Sequence, residues 1–218
     1  MSNALMETKD NIPTPANEAE NIIAAAREDS SFEKLLKFKK GKYFVGEETV
    51  ALGTEFISYP ASWLKVWAKF ADNKVAERLL FRVAHGEEPP ERDELDDRDQ
   101  STWGSGIDGK PQDPWLLQYL LPLENPVSGE IVVFATASLG GKRAIGDLCT
   151  IWGKRVKRGQ HGLPVVQLQS GEMPTKKFGR VPCPVLKITG WTDTADSSFI
   201  EQPPPAVSEK DFGEEIPF

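Results

Sequence analysis

Trp63-Leu64-Lys65-Val66-Trp67-Ala68-Lys69-Phe70-Ala71, then Asp72-Asn73, then Lys74-Val75-Ala76-Glu77-Arg78-Leu79-Leu80-Phe81-Arg82-Val83, is the stretch that decides the fold. In the first run Leu64, Val66, Ala68 and Phe70 alternate with Trp63, Lys65, Trp67 and Lys69, the period of two that marks a strand. In the second run Val75, Leu79, Phe81 and Val83 fall on one side, and Arg78 and Arg82 on the other. A two-residue turn at Asp72-Asn73 predicts a hairpin with Phe70 opposite Val75, Trp67 opposite Arg78, Val66 opposite Leu79, Leu64 opposite Phe81 and Trp63 opposite Arg82. One face of that hairpin is apolar, and the other is a row of indoles and cations. A helix competes for the first run, because Trp63, Leu64, Trp67, Phe70 and Ala71 also fit helical spacing behind Ser62 as N-cap. The two apolar sets fall into register without adjustment, which favours the hairpin.

Working outward, Lys37 to Val45 and Thr49 to Ser58 read as strands separated by Gly46-Glu47-Glu48. Trp115 to Leu123 and Glu130 to Ala137 read as a second hairpin around Asn125-Pro126, after a Gly- and Pro-rich loop from Trp103 to Pro114. From Gly141 the period changes: Ala144, Ile145, Leu148, Ile151, Trp152 and Val156 form a helical stripe that Gly159 ends. Pro164 to Gln169 and Pro184 to Trp191 close the body as strands. Strands, one helix, then two strands is the order of an OB-fold, a partly open five-stranded antiparallel barrel. The expected fold class is therefore mainly β and OB-fold-like, with one helix and extra hairpin and loop insertions. The expected organisation is a mobile arm over residues 1–31, one folded domain over 32–192, and a polar, Pro-rich tail over 193–218.

The net charge of −7 argues against a nucleic-acid partner, but its distribution reverses that argument. Between Gly140 and Gly190 ten bases stand against two acids, whereas residues 86–100 hold eight acids against Arg92 and Arg98. A charge-separated chain can bind a polyanion on one face whatever its total charge. No segment approaches the roughly 20 apolar residues of a membrane span, and no basic-then-apolar leader opens the sequence, so a cytoplasmic protein without membrane contact is expected. Cys149 and Cys183 lie far apart, with only His85 and His161 to join them, too few soft ligands for a metal site; no metal or cofactor is expected.

The last residues, Asp211-Phe212-Gly213-Glu214-Glu215-Ile216-Pro217-Phe218, join carboxylates to an apolar tip behind the prolines Pro203, Pro204 and Pro205. That segment resembles the acidic Ile-Pro-Phe tip that ends bacterial single-stranded DNA-binding proteins, and more loosely the Phe-terminated tails of phage ones. The resemblance covers about eight residues of 218. It implies an OB-fold core that coats single strands in replication, recombination and repair, and a tip that recruits partner proteins through Asp211, Phe212, Glu214, Glu215, Ile216, Pro217 and Phe218. The Pro-rich linker and the acidic insertion depart from the bacterial pattern and point to a phage or mobile-element type. They leave assembly as a homo-oligomer open.

Binding a single strand needs cations along the phosphates and aromatic faces under the bases, the latter contributing roughly 1–3 kcal/mol per base. Candidate DNA-binding residues are Trp63, Lys65, Trp67, Lys69, Arg78 and Arg82 on the hairpin and Lys142, Arg143, Lys154 and Arg155 on the helix. Lys176, Lys177, Phe178 and Arg180 complete the set in the expected loop from Ser170 to Pro182. Trp63 and Trp67 could instead cover a second apolar layer, since large aromatics are usually buried. The acids Asp93, Glu94, Asp96, Asp97 and Asp99 could be imagined as nuclease metal ligands, but a contiguous acidic run beside Pro89-Pro90 reads as a solvated loop. No hydrolase, metalloprotease, Walker or dinucleotide fingerprint is present, so no catalytic residue is expected. An adaptor that uses only its tail is the other alternative.

Overall fold

Two adjacent left-handed residues, Lys40 (φ 50°) and Gly41 (φ 82°), break what reads as one strand from Lys37 to Val45. Positive φ at both central positions suits a tight hairpin turn, and β1 (Leu35–Lys39) folds back on β2 (Lys42–Val45) with Lys39 opposite Lys42. The expected strand Thr49 to Ser58 also divides, into β3 (Glu48–Val50) and β4 (Glu55–Ser58), around Gly53 at φ 93°. The computed structural model describes residues 34–71, 74–106, 109–176 and 179–192.

The remaining elements follow the expected order. A single 3-10 turn at Pro60–Ser62 leads from β4 into β5 (Leu64–Ala71), which pairs with β6 (Lys74–Arg82). Then come β7 (Trp115–Glu124), β8 (Ile131–Thr136), a helix α1 (Leu139–Lys157), β9 (Pro164–Thr175) and β10 (Gly179–Trp191). Ten strands form one mixed sheet in the order β10-β9-β4-β7-β8-β1-β2-β3, with the β5–β6 hairpin branching from β7. β1 runs parallel to β8, and the other pairings are antiparallel. The last two strands are far longer than expected: the segment Ser170 to Pro182, read as a loop, is the outer half of a β9–β10 hairpin, with Ser170 opposite Pro184 and Glu172 opposite Pro182.

Alternation along β7 divides the core between the two faces of the sheet. Leu121 and Leu123 on one face pack with Phe134, Phe56, Val166 and Leu168 against Ile145 and Leu148 of α1. Leu120 on the other face packs with Leu35, Leu64, Val66 and Val133. Each fully buried aliphatic side chain contributes roughly 1.5–3 kcal/mol, so these clusters dominate the stability. The helical stripe is confirmed only in its first half: Ile145 and Leu148 are buried, whereas Ile151 and Val156 are exposed. The helix begins flush against the sheet. Ser138 caps it by accepting from the Gly141 N–H at 3.1 Å, and a Cβ on Gly141 would lie 2.0 Å from Thr136 Oγ1.

The expected register of the β5–β6 hairpin holds at Phe70 opposite Val75 and then slips by one residue. Lys69 opposes Glu77, leaving Ala76 as the extra residue of a bulge, so Trp67 opposes Leu79 and Leu64 opposes Arg82. A one-residue slip exchanges the faces of a strand. Arg78 and Arg82 therefore leave the Trp67 side, and Leu79 and Phe81 take their places there beside Leu117.

Candidate nucleic-acid interface

Trp67 and Trp115 lie side by side on the sheet face that also carries Lys65 and Lys69, because β5 and β7 pair with Lys65 opposite Tyr119 and Lys69 opposite Trp115. That face is not open. Residues 86–103, whose acidic run over 86–100 is expected as a solvated loop, form an ordered strap across it, and Trp67 is left 8% exposed and Trp115 4%. Leu95 of the strap packs in one buried cluster with the two indoles. Trp67 Nε1 donates to the Pro90 carbonyl at 3.0 Å and Trp115 Nε1 to Asp96 Oδ1 at 2.7 Å. Lys65 pairs with Glu88 at 2.9 Å, and Lys69 with Asp96 at 2.8 Å and Asp97 at 2.6 Å.

The strap is tied internally and to the start of β7 as well. Arg92 grips Asp113 through Nε at 2.7 Å and also donates to the carbonyls of Asp96 and Asp97, both at 2.9 Å. A capping box joins Glu91 to Glu94, and the Trp103 indole donates to the Asp97 carbonyl at 2.7 Å. The hydrogen bonds from Lys69, then from Trp115, hold the Asp96 carboxyl below the usual carboxylate range, and the same carboxylates push the Lys69 ammonium up. The expectation that Trp67, Lys65 and Lys69 form an open stacking and phosphate-binding face is thereby corrected: in this conformation the chain's own acids occupy it. Asp96, Asp97 and Asp99 are also spent on internal partners, and among the described residues no group of three or more His, Cys, Asp or Glu side chains could hold a metal ion.

The cations of α1 are in a different condition. Among the described residues, Lys142, Arg143, Lys154, Arg155, Lys157 and Arg158 form no ion pair with a carboxylate, whereas the lysines under the strap are neutralised. At the helix N-terminal end Lys142 Nζ stands 5.5 Å from the Tyr119 ring, and Tyr119 meets half-buried Trp63 edge-on at 5.1 Å. Burial lowers the pKa of Lys142. A Cβ on Gly140 would meet Cys183 and Met173, which puts the middle of the β9–β10 hairpin at this end. Its outer end, with exposed Lys176 and Arg180, projects beyond, although Arg180 is shared with Glu172 at 2.9 Å.

At the other end of the helix Arg155 Cζ stands over the Trp191 ring, 4.3 Å from its centroid. Sequence reasoning reached Arg155 through its charge but had no signal for Trp191, which β10 brings from 36 positions away. Lys177, Phe178 and the tip residues Asp211, Phe212, Glu214, Glu215, Ile216, Pro217 and Phe218 lie outside the described residues. No described helix is long and apolar enough to cross a membrane. No protein-family model, curated protein or solved structure matches the chain.

Proposed function

We propose that this chain is a non-catalytic single-stranded DNA-binding protein that coats strands through α1 and the β9–β10 hairpin and recruits replication, recombination or repair partners through its acidic Ile-Pro-Phe tip. The observation that carries this reading is the cationic surface of α1, which among the described residues has no carboxylate partner. Aromatic rings lie beside Lys142 at one end and Arg155 at the other. Cations for phosphates and rings for bases are the two requirements of sequence-tolerant strand binding.

The pairing pattern supports an OB-fold-like reading of the core. The bent strand β4–β5 pairs with β7, β7 pairs with β8, α1 follows, and β9 returns to pair with β4 before β10. A meander, a helix and a strand returning to the first strand are features of that barrel. On this reading β1, β2, β3 and β6 are additions to it. The test is retention on single-stranded DNA cellulose with elution by salt. The proposal expects retention that Arg143→Gln combined with Lys157→Gln, two exposed cations of α1, weakens. Flow-through of the wild-type chain at low salt would refute it and favour an adaptor that works through its tail alone.

A further inference from the structure

The last turn of α1 and its exit loop build a concave notch that the strand-coating reading alone does not require. Gly159, at φ 71°, donates to the Val156 carbonyl, and the Gln160 N–H returns to the Arg155 carbonyl. This left-handed helix stop brings Gln160 back over the helix end. A Cβ on Gly162 would lie 2.3 Å from the Thr192 carbonyl, and Leu163 and Thr192 exchange hydrogen bonds through their backbones and the Thr192 hydroxyl. The glycine thus lets the exit loop close against the end of β10, which fixes Trp191 beneath the helix. Arg155 is held between them: its Cζ lies 4.3 Å from the Trp191 ring centroid, Nη1 donates to Gln160 Oε1 at 3.3 Å, and Nε donates to the His161 carbonyl at 3.4 Å.

The result is a cavity of about 220 Å³ lined by Ile151, Lys154, Arg155, Arg158, Gln160 and Trp191. Three cations converge on it, and none forms an ion pair with a described carboxylate. Cations near a helix C-terminus are favoured by its dipole, but that preference accounts neither for the concavity nor for a guanidinium held over a ring by two hydrogen bonds. A guanidinium held in one orientation loses little freedom when it binds an oxyanion, and its planar edge suits two phosphate oxygens at once. Exposed Ile151 adds an apolar flank on which a sugar or base can rest.

We infer that this notch anchors one phosphate group of a single-stranded polynucleotide, with Arg155 as the preset fork and Lys154 and Arg158 as flanking cations. The inference rests on the strand-binding reading and adds to it a defined place where the strand is gripped. The experiment measures oligo-dT affinity as a function of salt for the full chain, for Arg158→Gln and Arg155→Lys, and for Lys74→Gln as a control of equal charge change on β6. Losing the anchored phosphate should reduce the magnitude of the log–log salt slope by about 0.7. Arg158→Gln should also bind about tenfold more weakly at low salt, whereas Lys74→Gln should leave the slope unchanged. Arg155→Lys keeps the charge and loses the fork, so it should retain the slope and bind more weakly.

If the notch variants bind oligo-dT as the wild type does, the notch is not a phosphate site, while the strand-binding reading stands. If the wild type binds no oligo-dT, both fall. A synthetic peptide of residues 211–218 that binds the wild type, is lost on Arg158→Gln and leaves oligo-dT binding intact would show a peptide carboxylate site and overturn the inference.

Discussion

Replacing Trp67 by Ala separates a structural indole from a stacking platform. In the structure the ring is 8% exposed, packed with Leu95 and Trp115 and donating from Nε1 to the Pro90 carbonyl. Truncating a buried Trp to Ala costs about 3–5 kcal/mol. The cluster is a satellite under a strap that can settle into the space, so the lower end, about 3 kcal/mol, is expected, equivalent to about 6–12 °C in melting temperature for a chain of this size. Trp67→Phe keeps a single ring in the cluster but removes the donor to Pro90 and leaves part of the indole's space unfilled, so it should cost more than the roughly 0.5–1.5 kcal/mol of the hydrogen bond alone and less than Trp67→Ala. Thermal unfolding followed by circular dichroism reads both, with oligo-dT titration of each folded variant beside it. A Trp67→Ala protein that melts within about 2 °C of the parent yet loses about 1–3 kcal/mol of strand affinity would refute the structural assignment and return Trp67 to the binding face.

Gly141→Ala should destabilise by about 1–3 kcal/mol, because its Cβ would collide with Thr136, whereas Gly146→Ala, with open space at its Cβ, should gain up to about 1 kcal/mol of helix propensity; denaturant midpoints decide between them. The Asp96 carboxyl is depressed in the folded chain from its ordinary 3.8, so its contribution to the strap is complete above pH 3.8 and is lost as pH falls through the lower folded value. Tryptophan emission should therefore shift to the red in acid, and Asp96→Asn should remove that part of the transition; an unchanged acid limb in the variant would disprove the coupling. Burial raises the Cys149 thiol to about 12, so it should resist a thiol reagent at pH 8 until the chain is unfolded, and rapid labelling of the native protein at Cys149 would contradict its packing.

The sequence made legible whatever rested on periodicity. The alternation of Trp63 to Phe70, the β7–β8 hairpin and the Ile145–Leu148 stripe of α1 depend on neighbours a few residues apart, and they stand in the structure. Single-residue irregularities were hidden. The Lys40-Gly41 turn lacks the usual Asn-Gly signature, and the bulge at Ala76 leaves no mark in a run of alternating residues, yet it moved Arg78 and Arg82 to the other face. Pro174, Pro182 and Pro184 disguised the β9–β10 extension as a loop. They are tolerated because β10 is an edge strand and the outer part of β9 extends past β4, so a missing N–H costs little there.

At the candidate site, charge separation was readable but its use was not. The acids at 86–100 looked solvated because composition cannot show that Leu95 and Arg92 fold them over Lys65 and Lys69. The surplus of bases after Gly140 was read correctly as a surplus. Which of those bases have no carboxylate partner among the described residues, and that Trp191 lies under Arg155, are products of tertiary contact.

The central claim is that the cations of α1 bind single strands of nucleic acid. Fluorescence anisotropy of labelled oligo-dT, compared with a duplex of equal length over a salt series, tests it most directly. The account predicts tighter binding of the single strand and a log–log salt slope of about −0.7 for each phosphate engaged. Equal affinity for the duplex, or no binding of either at low salt, would contradict it.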